Sequence, residues 1–266
     1  MGTSKSNSKQ KMDKKIISII KSKIKEINAC EKNPLILIST GAYCPPHKVH
    51  IQNFIICKNQ IKTHNLILGL ISPSHDSYVN YKNPSPWNLK SEVRLKLLDS
   101  IIKEEKQDNF LLSDSWESEQ EDFIDFPSVF KLRGEEIKEI CKSKFNLNID
   151  FGFIMGADLV IRTKCMKYMS QIGILVIILR PDWDNNFIFE MKNNLDKQLQ
   201  DNVIIVELND NYFCEPMSST LVRDLFQQEK YDQVIKFTSK DSVDILNRSK
   251  ARCYWLDAHH VWPARC

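Results

Sequence analysis

Residues 173–179 read Gly-Ile-Leu-Val-Ile-Ile-Leu. No polar position interrupts the run, so a strand made from it offers neither face to water. Strands of that kind lie inside parallel sheets whose two faces are both covered by helices. Short β-forming runs at 35–39, 66–71, 110–112, 151–155, 174–179 and 203–207 alternate with helical patterns at 48–62, 88–105, 128–145, 158–170 and 187–200. Two further helical patterns, at 219–228 and 231–246, follow them. The alternation predicts an α/β fold: a doubly wound, mostly parallel sheet with helices on both faces.

The ends of the chain differ from this middle. The first 25 residues hold eight lysines against one aspartate. Residues 1–12 look disordered by composition, and Ile16, Ile17, Ile20, Ile24 and Ile27 then recur at helical spacing. We therefore divide the 266 residues into a basic, partly disordered tail with its leading helix (1–30), one domain (31–250) and a C-terminal tail (251–266). The last of these carries Trp255, Trp262 and the adjacent His259 and His260, which could catch a metal. A formal net charge of +3 without a basic stripe gives no reason to expect nucleic acid. No apolar run approaches the ~18 residues of a membrane span. Eight scattered cysteines without a CxxC fit neither a disulfide framework nor a structural zinc site. The expectation is an intracellular protein, cytoplasmic or nuclear, with no membrane partner.

Ligands of open α/β sheets bind beyond the carboxyl ends of the strands. The loop after the first core strand reads Ser39-Thr40-Gly41-Ala42-Tyr43-Cys44-Pro45-Pro46-His47-Lys48-Val49-His50. A glycine there lets backbone approach a phosphate. Two prolines stiffen the entry to a helix, and His47 and His50 fall i, i+3 on its first turn. Imidazoles beside a positive helix end suit a polyphosphate. Neither GxxxxGK[ST] nor GxGxxG is present. Near the other end, Met217-Ser218-Ser219-Thr220-Leu221-Val222-Arg223 places a Ser cap and hydroxyls at a helix start, with an arginine one turn on. Read with the histidine loop, it becomes a second wall of one phosphate site.

Together the two stretches resemble the nucleotidyltransferase α/β-phosphodiesterase superfamily, with an HxGH-like motif early and an SxTxxR-like motif late. More narrowly, the chain resembles the nicotinamide/nicotinate mononucleotide adenylyltransferases of eukaryotic type. That closer likeness is carried by four stretches. They are Ile71-Ser72-Pro73-Ser74-His75-Asp76-Ser77-Tyr78, Asp114-Ser115-Trp116-Glu117-Ser118, Met155-Gly156-Ala157-Asp158-Leu159, and Met217 to Thr220 with Arg223. Their order fits over about residues 33–245.

The resemblance implies a Rossmann-like nucleotidyltransferase fold and transfer of AMP from ATP to nicotinamide or nicotinate mononucleotide. It implies Mg²⁺ carried on the ATP phosphates, with no metal held by the protein. His50, His47 and Arg223 are the implied catalytic residues. Gly41, Ala42, Gly156, Asp158, Ser219 and Thr220 join those three around ATP, while Tyr43, Lys82, Ser115, Trp116 and Arg180 surround the mononucleotide. A tryptophan that stacks on the pyridine ring in relatives has no clear counterpart here; Tyr168, Phe110 or Trp183 could substitute, though each reads first as core or surface packing. Those relatives form dimers and larger assemblies, so a homo-oligomer is compatible with the reading. They read Gly-Ser-Phe-Asn-Pro where this chain has Gly41-Ala42-Tyr43-Cys44-Pro45, so loop contacts must be remade. A cytidylyltransferase of the same superfamily and a non-catalytic nucleotide-binding scaffold are the alternatives.

Overall fold

The computed structural model describes residues 2–83, 87–179, 185–208 and 217–249, with side chains from Met12 onward. Six strands form one sheet: β1 (Pro34–Gly41), β2 (Asn65–Pro73), β3 (Leu111–Ser113), β4 (Asp150–Gly156), β5 (Ile174–Ile178) and β6 (Val203–Val206). Their spatial order is β3-β2-β1-β4-β5-β6, and every pairing is parallel. The expected strands are all present, within two residues at each end.

Alternation along each strand divides the core. Leu35 and Leu37 face helices α2 (Lys48–Gln60) and α4 (Ser91–Glu104), where Phe54, Leu98 and Ile101 complete one apolar layer. Ile36 and Ile38 face the other side, against α1 (Gly2–Ala29), α5 (Phe126–Phe145), α6 (Ala157–Thr163) and α7 (Met166–Ile172). Both faces of the central strands are therefore dry, as the unbroken apolar run demanded. Among the described residues, no helix is long and apolar enough to cross a membrane.

Several helices differ from expectation. Helix α1 starts at Gly2, so the residues expected to be disordered are helical, and Met12, Ile16, Ile20 and Ile27 form its buried stripe. A short α3 (Asp76–Lys82) follows β2 where no helix was expected; His75 caps it by accepting from Ser77 N–H at 3.2 Å. The single helix expected over 158–170 is broken by Lys164, which turns left-handed at φ 51° and ends α6. The helix expected over 187–200 is likewise two, α8 (Asn186–Asn193) and α9 (Lys197–Asp201). Helices α10 (Ser219–Gln227) and α11 (Tyr231–Phe237) precede α12 (242–249). The break before α12 is held by Ser239 N–H donating to Ser242 Oγ at 3.2 Å.

The order in which strands are added reverses between β1 and β4, the adjacent and parallel central strands. Connections leave them toward opposite edges, and the crevice at their carboxyl ends is the topological switch point. Gly41 ends β1 and Gly156 ends β4.

Candidate nucleotide site at the switch point

The loop leaving β1 is ordered by its own side chains. Tyr43 adopts φ 44°, a left-handed conformation that folds its ring back over Gly41. A Cβ at position 41 would lie 3.3 Å from Tyr43 Cζ. The space a Cβ would take at that glycine thus lies against the tyrosine ring. Tyr43 Oη lies 3.1 Å from Ser39 Oγ, and burial pushes the phenol pKa up. Cys44 Sγ donates to Trp87 O at 2.7 Å, and burial likewise raises this thiol.

His47 is the N-cap of α2 and is buried; His50 sits one turn in and keeps part of its surface open. Their rings are 3.7 Å apart between centroids, with Tyr43 edge-on to His50 at 4.7 Å. His50 Nδ1 accepts the His47 backbone N–H at 3.0 Å, so the neutral ring carries its proton on Nε2. Burial pushes the His50 pKa down to about 4. At neutral pH, His50 is therefore an uncharged N–H donor at the head of a helix.

Helix α10 closes on the same loop. Ser218 caps it by accepting from Leu221 N–H at 3.1 Å. Ser219 Oγ donates to Pro45 O at 2.9 Å, and Arg223 donates to Cys44 O at 2.8 Å with one arm. The other arm reaches Thr220 Oγ1 at 2.9 Å. The late motif and the early loop, far apart in sequence, form one wall.

The loops leaving β2 and β3 form the other side. Asp114 is fully buried and receives both forks of Arg133, at 2.9 and 3.1 Å. That pair pins the turn holding Ser115 and Trp116, both buried, and Trp116 packs into the core beside the central strands. Glu117 is 1% exposed, and burial pushes its carboxyl up to about 8 despite the Ser74 hydroxyl and the nearby Arg94 charge. Its Oε2 has no partner among the described residues. Tyr78 of α3 stacks on Phe123 at 4.8 Å, and the exposed Lys82 ammonium lies 5.7 Å from the Tyr78 ring.

Gly156 and Asp158 stand at the end of β4, beside β1. A side chain on Gly156 would collide with the Asp158 carboxylate, which folds back across it. Phe110 is buried in the core under α2 and α4, which rules it out as a stacking aromatic. Tyr168 is an exposed side chain of α7. Arg180, Trp183 and the 251–266 tail lie outside the described residues.

Sequence reasoning missed Arg94, which is wholly buried on α4. A signal existed: Arg94, Leu97, Leu98 and Ile101 occupy i, i+3, i+4 and i+7, so an arginine falls on an apolar stripe. Arg133 likewise shares its stripe with Val129, Phe130 and Ile137.

No family model matches this sequence, and no curated protein matches it. Solved structures do. The Plasmodium falciparum nicotinic acid mononucleotide adenylyltransferase complexed with APC superposes with a TM-score of 0.55 at 13% identity, covering 81% of this chain and 96% of that one. The same enzyme complexed with NaAD gives 0.51 and 13%, covering 81% and 95%. This chain has the nucleotidyltransferase fold. The histidine turn, the α10 cap and the β3 loop all sit at the carboxyl edge of its sheet, where α/β folds bind their ligands.

Proposed function

We propose that this protein transfers AMP from ATP to nicotinamide or nicotinate mononucleotide, releasing pyrophosphate. The observation that carries the reading is the joining of the His47–His50 turn to Ser219 and Arg223 through the loop carbonyls of Pro45 and Cys44. Donors and a cation then converge where a triphosphate would lie, and the shared fold supports the same class of reaction.

In this reading a 5′-phosphate oxygen of the mononucleotide attacks the α-phosphorus of ATP in line. A phosphoanhydride bond forms, and the bond to the pyrophosphate oxygen breaks. A phosphate monoester is already ionised near neutral pH, so no general base is required. The protein positions the reactants and stabilises developing charge. His50 Nε2–H donates to the α-phosphate, His47 braces its ring, and Arg223 with Ser219 and Thr220 holds the leaving pyrophosphate. Gly41, Ala42 and Tyr43 supply loop backbone. Gly156 and Asp158 line the adenosine side, Ser115 and Trp116 bound the pyridine pocket, and Lys82 and Arg180 serve the mononucleotide phosphate.

Among the described residues, no cluster of three or more His, Cys, Asp or Glu side chains could hold a metal. Imidazole and guanidinium donors fit an anion, and Mg²⁺ bound to the ATP phosphates would neutralise part of their charge.

Pyrophosphate release from ATP and Mg²⁺, with each mononucleotide supplied separately, tests the proposal. Dinucleotide formed with one or both supports it, and the ratio of rates fixes the pyridine preference. ATP binding without product from either would overturn it.

A further inference from the structure

Three carbonyls of the loop after β1 are tied by side chains from outside it. Ala42 O accepts from Arg94 at 3.0 Å, Cys44 O from Arg223 at 2.8 Å, and Pro45 O from Ser219 at 2.9 Å. The residues following Cys44 and Pro45 are prolines, so those two peptide units carry no N–H. The Ala42–Tyr43 unit is therefore the one of the three with a donor to offer.

A peptide unit is a rigid plane whose C=O and N–H point in opposite directions. Drawing the Ala42 carbonyl inward toward Arg94 turns the Tyr43 N–H the other way, out of the loop. The same guanidinium donates to Ser74 O at 2.7 Å, Leu89 O at 2.9 Å and Asp76 Oδ1 at 2.6 Å. One buried planar group thus fixes the loops leaving β1 and β2 and the segment entering α4. A lysine at 94 has three donors on a point charge and cannot span four acceptors in a plane.

We infer that Arg94 is a positioning residue: acting through the Ala42 carbonyl, it holds the Tyr43 N–H toward the nucleotide phosphates. The identity of that ligand rests on the reading under Proposed function. Arg94 is enclosed and is placed to touch neither substrate.

The test is Arg94→Lys in the full chain, assayed well below its own melting temperature. Binding of Mg·ATP and of adenosine is measured by calorimetry, alongside turnover with both mononucleotides. A charge-assisted bond lost to the triphosphate should weaken ATP by about tenfold and leave adenosine within about twofold. Turnover should fall further, by about 100-fold, as a misplaced donor costs more in the transition state. Unchanged ATP affinity and turnover would overturn the inference. So would equal losses for ATP and adenosine, which a merely loosened fold produces. If R94K does not fold, Asp76→Asn loosens the same guanidinium from a half-exposed site. It should weaken ATP about threefold with adenosine unchanged, and no change would overturn the inference. A wild-type protein that binds ATP without turnover, with the phosphate-selective loss in R94K intact, would sink the proposed reaction and leave the positioning role standing.

Discussion

Arg223 of α10 donates to the carbonyl of Cys44 at 2.8 Å, across 179 residues of sequence. The bond makes the late motif part of the early loop, because the guanidinium one turn into α10 also sets the loop's shape. Arg223→Lys keeps the charge but loses the planar fork shared between Cys44 O and Thr220 Oγ1. The expected result is a loss of about 100-fold in kcat/KM with little change in Tm. Ser219→Ala should cost about tenfold, and the double variant less than the product of the two, because both hold one loop. Steady-state kinetics on the three variants checks this.

His50 is expected to act as a neutral donor. With its pKa pushed down to about 4, it contributes no inflection near pH 6.5 to the kcat profile. His50→Ala should lower kcat by about 100-fold or more with a modest change in ATP affinity. Stability carries a sign as well. The unfolded chain protonates this histidine near pH 6.5 while the folded chain does not, so stability falls as pH drops from about 6.5 through 4. Denaturant titrations of His50→Gln at pH 7, 6, 5 and 4 should lose that slope.

Glu117 slopes the other way. Its carboxyl titrates near 8 when folded and near 4.3 when unfolded. Burial of the neutral acid is fully tolerated below about pH 4, and its contribution is lost as pH rises through 8. Glu117→Gln should therefore match wild type near pH 4 and exceed it at pH 8–9 by on the order of a few kcal/mol. Thermal melts across that range decide it, and equal gain at all pH values would contradict the assignment.

The Arg133–Asp114 pair is expected to be structural. Arg133→Met leaves Asp114 buried without its cation, at a cost of about 3–5 kcal/mol. Adding Asp114→Asn removes the stranded charge, and the double variant should recover part of the loss. Urea unfolding of the single and double variants measures it.

The six strands were legible because burial on both faces writes itself locally, as unbroken apolar runs such as 174–178. The histidine turn and a serine cap at 218 or 219 were legible because caps and turns depend on a few adjacent residues; the structure assigns the cap to Ser218. The breaks at Lys164 and Ser239 were not, since the apolar stripe continues past each one. Arg94 and Arg133 were not singled out, because the buried groups that hold them, Ala42 O, Ser74 O and the Asp114 carboxylate, lie on other elements.

The sequence by itself determined the layered α/β architecture and the residue types that can meet a phosphate, because hydrophobic period and turn chemistry are short-range. Only the tertiary structure decided that the Tyr43 ring lies against Gly41, that α10 grips the β1 loop, and that Arg94 and Glu117 lie buried beneath the site. Those facts depend on which side chains meet across distant elements, and packing alone brings them together.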